Sequence, residues 1–341
     1  MCRPKYCGYE GSAGKSSLVP IAEAGSVTIY APSSRWIVSF FSSPYTPHIM
    51  GRAIDITTSY IFGDDALSPI EGVVEKIARV EAGPGPFELY DYVLLVRCGR
   101  LWAKLMHIKP AVSVNERIHI GDAIGRYIRT NFFSFYHLPH IHIEIHRDRS
   151  LRPSRALPLY PTKELLSLAK DRCVDAYRVN VLELRVVDAS DSYTLFEPVN
   201  GALCISTRVG SCTAIVNGDV TTTPSYLGLI HIDGTPKPNT LVRVLGAAIG
   251  YTRRICRGYS IAVNTRLSFR EWLYRFSSIG QLYSSKRSCG EVFEVRIDVD
   301  GARKSLELLI GTLSCIKVDG VVERSRAILR IDSVRRHEVV N

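Results

Sequence analysis

Two histidines one residue apart, a carboxylate two further on and a proline in front make Pro139-His140-Ile141-His142-Ile143-Glu144 the most chemically suggestive stretch of this 341-residue chain. Side chains alternate across a β-strand, so His140, His142 and Glu144 share one face while Ile141, Ile143 and Ile145 share the core face. A rigid strand can thereby offer one imidazole to a metal and hold the other beside it for proton transfer. Taken alone, the stretch reads more simply as a half-buried strand whose solvent face is rich in histidine, with His146 continuing the row. Two upstream segments change that reading. Pro47-His48-Ile49-Met50-Gly51-Arg52-Ala53-Ile54-Asp55 supplies an imidazole and a carboxylate, and Leu105-Met106-His107-Ile108 ends an apolar run with another imidazole. A catalytic zinc takes three protein ligands from His, Asp, Glu or Cys and keeps a fourth position for water. His48, Asp55 and His142 can make such a set, leaving His107 and His140 as unliganded imidazoles beside that water.

The order of these segments resembles the lysostaphin-like (LytM-type) zinc endopeptidases. Their pattern runs from His-x-Gly-x-Asp through a Pro-x-x-Gly-x-Val turn, a Tyr-x-His-Leu-like segment and an Ile-Gly pair to Gly-Pro-His-Leu-His-Phe-Glu. Here stand His48, Gly51 and Asp55, then Pro69-Ile70-Glu71-Gly72-Val73-Val74, Leu105-Met106-His107-Ile108, Val114, Gly121-Asp122-Ala123-Ile124-Gly125, and Pro139 to Glu144. The match covers about residues 35–148, and the Pro-His-x-His end is its specific part. The resemblance implies an all-β fold built on the duplicated hybrid motif, with His48, Asp55 and His142 as ligands of a Zn(2+) cofactor. It implies that His107 and His140 orient or deprotonate the attacking water and stabilise the tetrahedral intermediate. The implied reaction is hydrolysis of a bond in a peptide or a peptide-containing polymer, since zinc lowers the pKa of water and a nearby imidazole can move the proton. Glu144 reads either as a solvated strand-face glutamate or as a partner that fixes a histidine tautomer.

Three departures bear on the expectation. Six residues separate His48 from Asp55, a longer gap than His-x-Gly-x-Asp, so a bulge or loop must bring His48 back. Leu105 stands where the family has tyrosine. An aromatic, basic stretch, Arg126 to His137, replaces a glycine- and serine-rich loop and should reshape the substrate groove. Two other classes therefore stay open: a non-catalytic binding or regulatory module on the same fold, and a phosphohistidine carrier. The carrier reading rests on Leu229-Ile230-His231-Ile232-Asp233-Gly234, which resembles the Leu-Ile-His-Ile-Gly motif of glucose-type phosphotransferase domains; Asp55 and Pro-His-x-His count against it.

Positioning these side chains falls to short strands: Ser26–Tyr30, Trp36–Phe41, Val73–Val80, Tyr92–Arg97, Arg117–His119 and His140–His146, punctuated by turns such as Gly83-Pro84-Gly85-Pro86. Residues 1–24 read as a flexible or loosely docked tail, and residues 25–160 as the peptidase-like domain. Thr162 to Lys170 reads as a helix with Thr162 at its N-cap, inside a linker over 161–177. Beyond it the chain echoes itself. Phe196-Glu197-Pro198-Val199-Asn200-Gly201 echoes the turn at Pro69–Gly72, Leu229–Ile232 echoes Leu105–Ile108, and Val242 to Gly250 echoes Ile118 to Gly125. These echoes suggest a degenerate, metal-free repeat over 178–265. Residues 266–341 read as a β-rich segment with one helix-like piece, Ser268–Phe276, and no motif.

Composition bounds the remainder. The length suits about two domains. No stretch approaches the ~18–20 uninterrupted apolar residues of a membrane span. The N-terminal residues lack the apolar run of a secretory signal, so a cytoplasmic protein is expected. Nine cysteines, scattered without a Cys-x-x-Cys pair, argue against a cysteine zinc site and a small disulfide scaffold. A single glutamine, Gln281, and few methionines fit a heat-adapted source, where internal disulfides are plausible. The net charge of +10 gathers at Arg147–Arg155, Arg253–Arg257 and Arg324–Arg336, but no nucleic-acid motif accompanies these clusters. Gly11 to Ser17 falls short of a phosphate loop, since five residues rather than four separate Gly8 from Gly14 and no apolar strand precedes it. Oligomeric state is not legible.

Overall fold

A computed structural model describes residues 18–263 apart from 42, 44, 134–136, 179–180, 190–192, 220–225 and 245–246, and beyond them the short segments 292–294, 306–311, 316–319 and 329–330. The chain is mostly β and divides into two compact units that part between Leu168 and Ala169. No described helix is long and apolar enough to cross a membrane.

The first unit runs β1 (Pro20–Ala24), β2 (Val27–Tyr30), β3 (Ile37–Ser39), α1 (Thr46–Ile49), β4 (Ala53–Thr57), β5 (Asp65–Leu67), β6 (Gly72–Glu81), β7 (Tyr90–Cys98), β8 (Leu101–Met106), β9 (Ile108–Pro110), β10 (Arg117–Ile118), β11 (Ala123–Tyr127), β12 (Ile141–His146) and β13 (Tyr160–Pro161). Its main sheet is ordered β10-β6-β7-β8-β12-β4-β3, and smaller sheets are ordered β13-β1-β2 and β5-β11-β9. Residues 20–24, assigned to a tail from the sequence, form β1 instead: Ile21 and Ala22 are fully buried, so both faces of the strand are covered, and β1 is paired on both edges, with β2 and with β13.

Register decides which side chains meet. Leu94 of β7 lies opposite Leu105 of β8, Leu105 opposite Ile143 of β12, and Ile143 opposite Ile54 of β4. All four are fully buried, each worth roughly 2 kcal/mol in removed apolar surface, so this row locks the pairing. A slip of one residue would turn every one of these side chains to the other face. The adjacent row, of opposite pleat, is therefore fixed as well: Met106, His142, Asp55 and Ser39 follow one another across β8, β12, β4 and β3.

The boundary between the units falls within α2 (Lys163–Arg172), where Leu165 N–H donates to Thr162 Oγ1 at 3.2 Å and so caps the helix. The second unit continues with β14 (Cys173–Asp175), β15 (Val181–Ala189), β16 (Tyr193–Pro198), β17 (Cys204–Val209), β18 (Cys212–Asp219), β19 (Tyr226–Asp233), β20 (Leu241–Val244), β21 (Ala247–Cys256) and β22 (Tyr259–Val263). β17, β18, β19 and β22 are successive antiparallel neighbours, as β6, β7, β8 and β12 are. Beyond those four strands the arrangements part. β22 is followed in its sheet by β21 and β20, whereas β12 is followed by β4 and β3. Gly250 sits on β21, inside the large sheet, whereas Gly125 sits on β11 in a separate small sheet. A disulfide joins Cys173 of β14 to Cys204 of β17, with Cα atoms 4.5 Å apart. The helix-like Ser268–Phe276 lies outside the described residues.

Candidate metal centre and active site

His48 reaches the site from a single helical turn. Pro47 opens α1, and Gly51, at φ +63°, closes it and turns the chain into β4. A positive φ costs an L-residue about 1–2 kcal/mol but costs glycine little. The long gap before Asp55 is thus taken up by a helical turn rather than by a strand bulge. His48 is buried, and its Nδ1–H donates to Phe40 O at 3.0 Å. A carbonyl can only accept, so Nδ1 carries the proton and Nε2 presents a lone pair.

That lone pair faces two further donor atoms of the trio. His48 Nε2 lies 3.2 Å from Asp55 Oδ1 and 3.1 Å from His142 Nδ1, and His142 Nδ1 lies 3.0 Å from Asp55 Oδ1. An ion about 2.0–2.1 Å from each of three tetrahedral donors needs them roughly 3.3–3.4 Å apart. The trio needs to spread by only a few tenths of an ångström. It is also the one group of three or more His, Cys, Asp or Glu able to hold a metal ion among the described residues.

Around the trio the supporting contacts set tautomers. His142 Nε2 lies 3.0 Å from Glu144 Oε1, which places a proton on Nε2 and turns Nδ1 toward Asp55. Glu144 is fully buried rather than solvated. It also accepts from Lys104 Nζ at 2.9 Å and from His146 Nε2 at 3.0 Å. Burial alone would push the Glu144 carboxyl up, but His142, His146 and Lys104 hold it far below the usual carboxylate range. Burial likewise works against Asp55, yet the His48 and His140 charges and the His142 and His48 hydrogen bonds keep it well below the ordinary value. For His142 burial opposes the charge, but Asp55 and Glu144 together lift its pKa to about 9. The histidine-rich face of β12 is therefore an interior polar layer, not a solvent face.

His107 and His140 stand beside the trio. Their ring centroids are 5.1 Å apart, and His107 lies 5.8 Å from the His142 ring. His140 Nδ1–H donates to Leu138 O at 2.7 Å, and its Nε2 lies 3.7 Å from Asp55 Oδ2. Burial pushes the His140 pKa down to about 4, against the pull of Asp55. His107 follows the end of β8 in the left-handed region, φ +70°, a conformation that a non-glycine residue keeps only when its surroundings enforce it. Asp91, fully buried on β7, does so. Its Oδ1 accepts the His107 backbone N–H at 3.0 Å, and its Oδ2 lies 2.5 Å from His107 Nδ1. Tyr92 N–H at 2.6 Å and Thr130 Oγ1–H at 3.0 Å complete the carboxylate's partners. Burial raises Asp91, but the His107 charge and these hydrogen bonds bring it below its ordinary value.

Sequence reasoning missed Asp91 and Lys104, and named Thr130 and Phe133 only within the Arg126–His137 stretch. Asp91 lies sixteen residues before His107 in a plain strand-like run, and only the β7–β8 register reveals the pairing. Within the aromatic stretch, Phe133 packs its ring 4.8 Å from both His107 and His140 and 5.5 Å from Phe62. In the second unit His231 lies in the body of β19, buried, with Nε2 3.0 Å from Ser260 Oγ. No curated protein and no solved structure matches the chain. A family described as a domain of unknown function, the DUF8155 N-terminal domain, matches residues 28–161, a span that contains every side chain of the site.

Proposed function

We propose that the first unit is a zinc-dependent hydrolase of peptide bonds, on a lysostaphin-like architecture. The observation that carries this reading is the convergence of His48 Nε2, Asp55 Oδ1 and His142 Nδ1 within 3.0–3.2 Å of one another, with two further imidazoles alongside. The lone pairs of His48 and His142 are aimed inward by Phe40 O and Glu144, so the chain's own hydrogen bonds select the tautomers that a metal requires. A bound zinc would supply a lowered water pKa and a polarised scissile carbonyl.

The remaining work falls to the chain. His107 and His140 each commit Nδ1 to an acceptor, Asp91 and Leu138 O, which leaves Nε2 of each free to take a proton from water and return it to the leaving amine. Phe133 covers these two rings and limits the water around them. The extended gap between His48 and Asp55 no longer favours a non-catalytic module, because α1 and Gly51 deliver His48 to the other two donors.

The test is elemental analysis of the purified protein by mass spectrometry, joined to a search for chelator-sensitive cleavage of mixed peptides and of peptide-bearing polymers. About one zinc per chain and cleavage that a chelator abolishes are expected. A metal-free protein that takes up no added zinc would refute the proposal.

A further inference from the structure

Asp91 has no place among the metal donors, yet both of its carboxylate oxygens are engaged beside the site. One oxygen takes the His107 backbone amide and that of Tyr92, and the other takes the His107 ring and the Thr130 hydroxyl. Holding both the backbone and the ring of one residue fixes its φ and its χ angles together. His107 stands in the left-handed region, φ +70°, which is uncommon for a non-glycine residue, and the clamp holds its backbone and ring together there.

We propose that Asp91 is a positioning residue for hydrolysis, locking His107 as the Nδ1–H tautomer so that Nε2 is the atom that takes the proton from the attacking water. The inference rests on the peptidase reading above. An ionised carboxylate can only accept, so the proton between Asp91 and His107 belongs to Nδ1. When Nε2 takes a second proton, the carboxylate already lies against the new positive charge, with no group having to move. His140 differs here: its Nδ1–H faces the neutral carbonyl of Leu138, which offsets a positive charge less well than a carboxylate does. Geometry therefore gives the two histidines unequal duties, with His107 as the base and His140 as its neutral neighbour. Thr130 belongs to the clamp by holding Asp91 Oδ2 in line.

Nitrogen-15 NMR of the histidine side chains, with His107 assigned through His107→Gln, reads the tautomer in the wild type without needing activity. The Nδ1–H form is expected there. In Asp91→Asn, whose amide can donate to Nδ1, the Nε2–H form is expected to take over, with zinc content and KM unchanged and kcat lower by about 10²–10⁴-fold. Thr130→Val, which keeps the carboxylate, should fold even if Asp91→Asn does not, and should lower kcat several-fold at unchanged KM. An Nε2–H tautomer in the wild type, or full kcat in either folded variant, would overturn the positioning role. A wild type that neither binds zinc nor cleaves peptides would overturn the peptidase reading instead, and that result stands apart from the tautomer measurement.

Discussion

The proposed function gives the trio and the two histidines beside it separate jobs, and removing each side chain should show which. Asp55→Ala and His142→Ala are expected to lose zinc, because a site with two of its three ligands binds too weakly to hold it. His107→Ala and His140→Ala should keep zinc and lose hydrolysis by roughly 10²–10⁴-fold, since in the proposed reaction they serve the water and the intermediate. Elemental analysis and turnover on the same four preparations check this, and equal zinc loss in all four would merge the two roles. A pH dependence follows from His142. Asp55 and Glu144 outweigh burial and hold its pKa at about 9, so in the metal-free fold the ring keeps a proton that a free imidazole gives up near about 6.5. The raised value means that this contribution to metal-free stability is complete below about pH 6.5 and fades as pH rises through about 9. Zinc must displace that same proton. Apparent zinc affinity should therefore climb about tenfold per pH unit across that window and level off above it. Competition against a chelator between about pH 6.5 and 8.5 measures the slope, and a flat line would show the ring already neutral.

Among the elements, the short α1 turn carries the most consequence for its size. It converts an interval too long for a plain strand into a delivery path for His48, and Gly51 makes the exit possible. Gly51→Ala should cost about 1 kcal/mol through the left-handed φ and weaken zinc binding, because the same turn aims the imidazole. Denaturant melts and chelator titration on this variant check both effects. Unchanged melting with unchanged zinc would mean that the turn relaxes without consequence. β12 shows the complementary principle. Its apolar face is locked by Leu105 and Ile54 on the flanking strands, and that lock places His142 directly opposite Asp55.

At the scale of the molecule, the site and its supports all lie within Ser12–Leu168, while the disulfide lies in the other unit. Reducing Cys173–Cys204, which closes a separation of 31 residues, should lower the stability of the second unit by about 3–4 kcal/mol and leave zinc content and hydrolysis unchanged. His231→Asn should be equally silent toward zinc, since His231 meets Ser260 and no ligand cluster includes it among the described residues. Scanning calorimetry and elemental analysis with and without a reducing agent check the pair of expectations. Local pattern was enough to show the mostly β character, the strands about Val73–Val80, Tyr92–Arg97 and His140–His146, and the Thr162 cap, because alternation and capping are properties of neighbouring residues. The five side chains that converge could also be picked out as candidates, since histidines and a carboxylate carry their chemistry in their identity. Tertiary structure alone decided how the interval from His48 to Asp55 is taken up, that Glu144 is a buried partner of His142 and Lys104, and that Asp91 grips His107. The last two depend on which residues of distant strands stand opposite one another, and strand register is set by the packing of the apolar face rather than by the polar residues of the site.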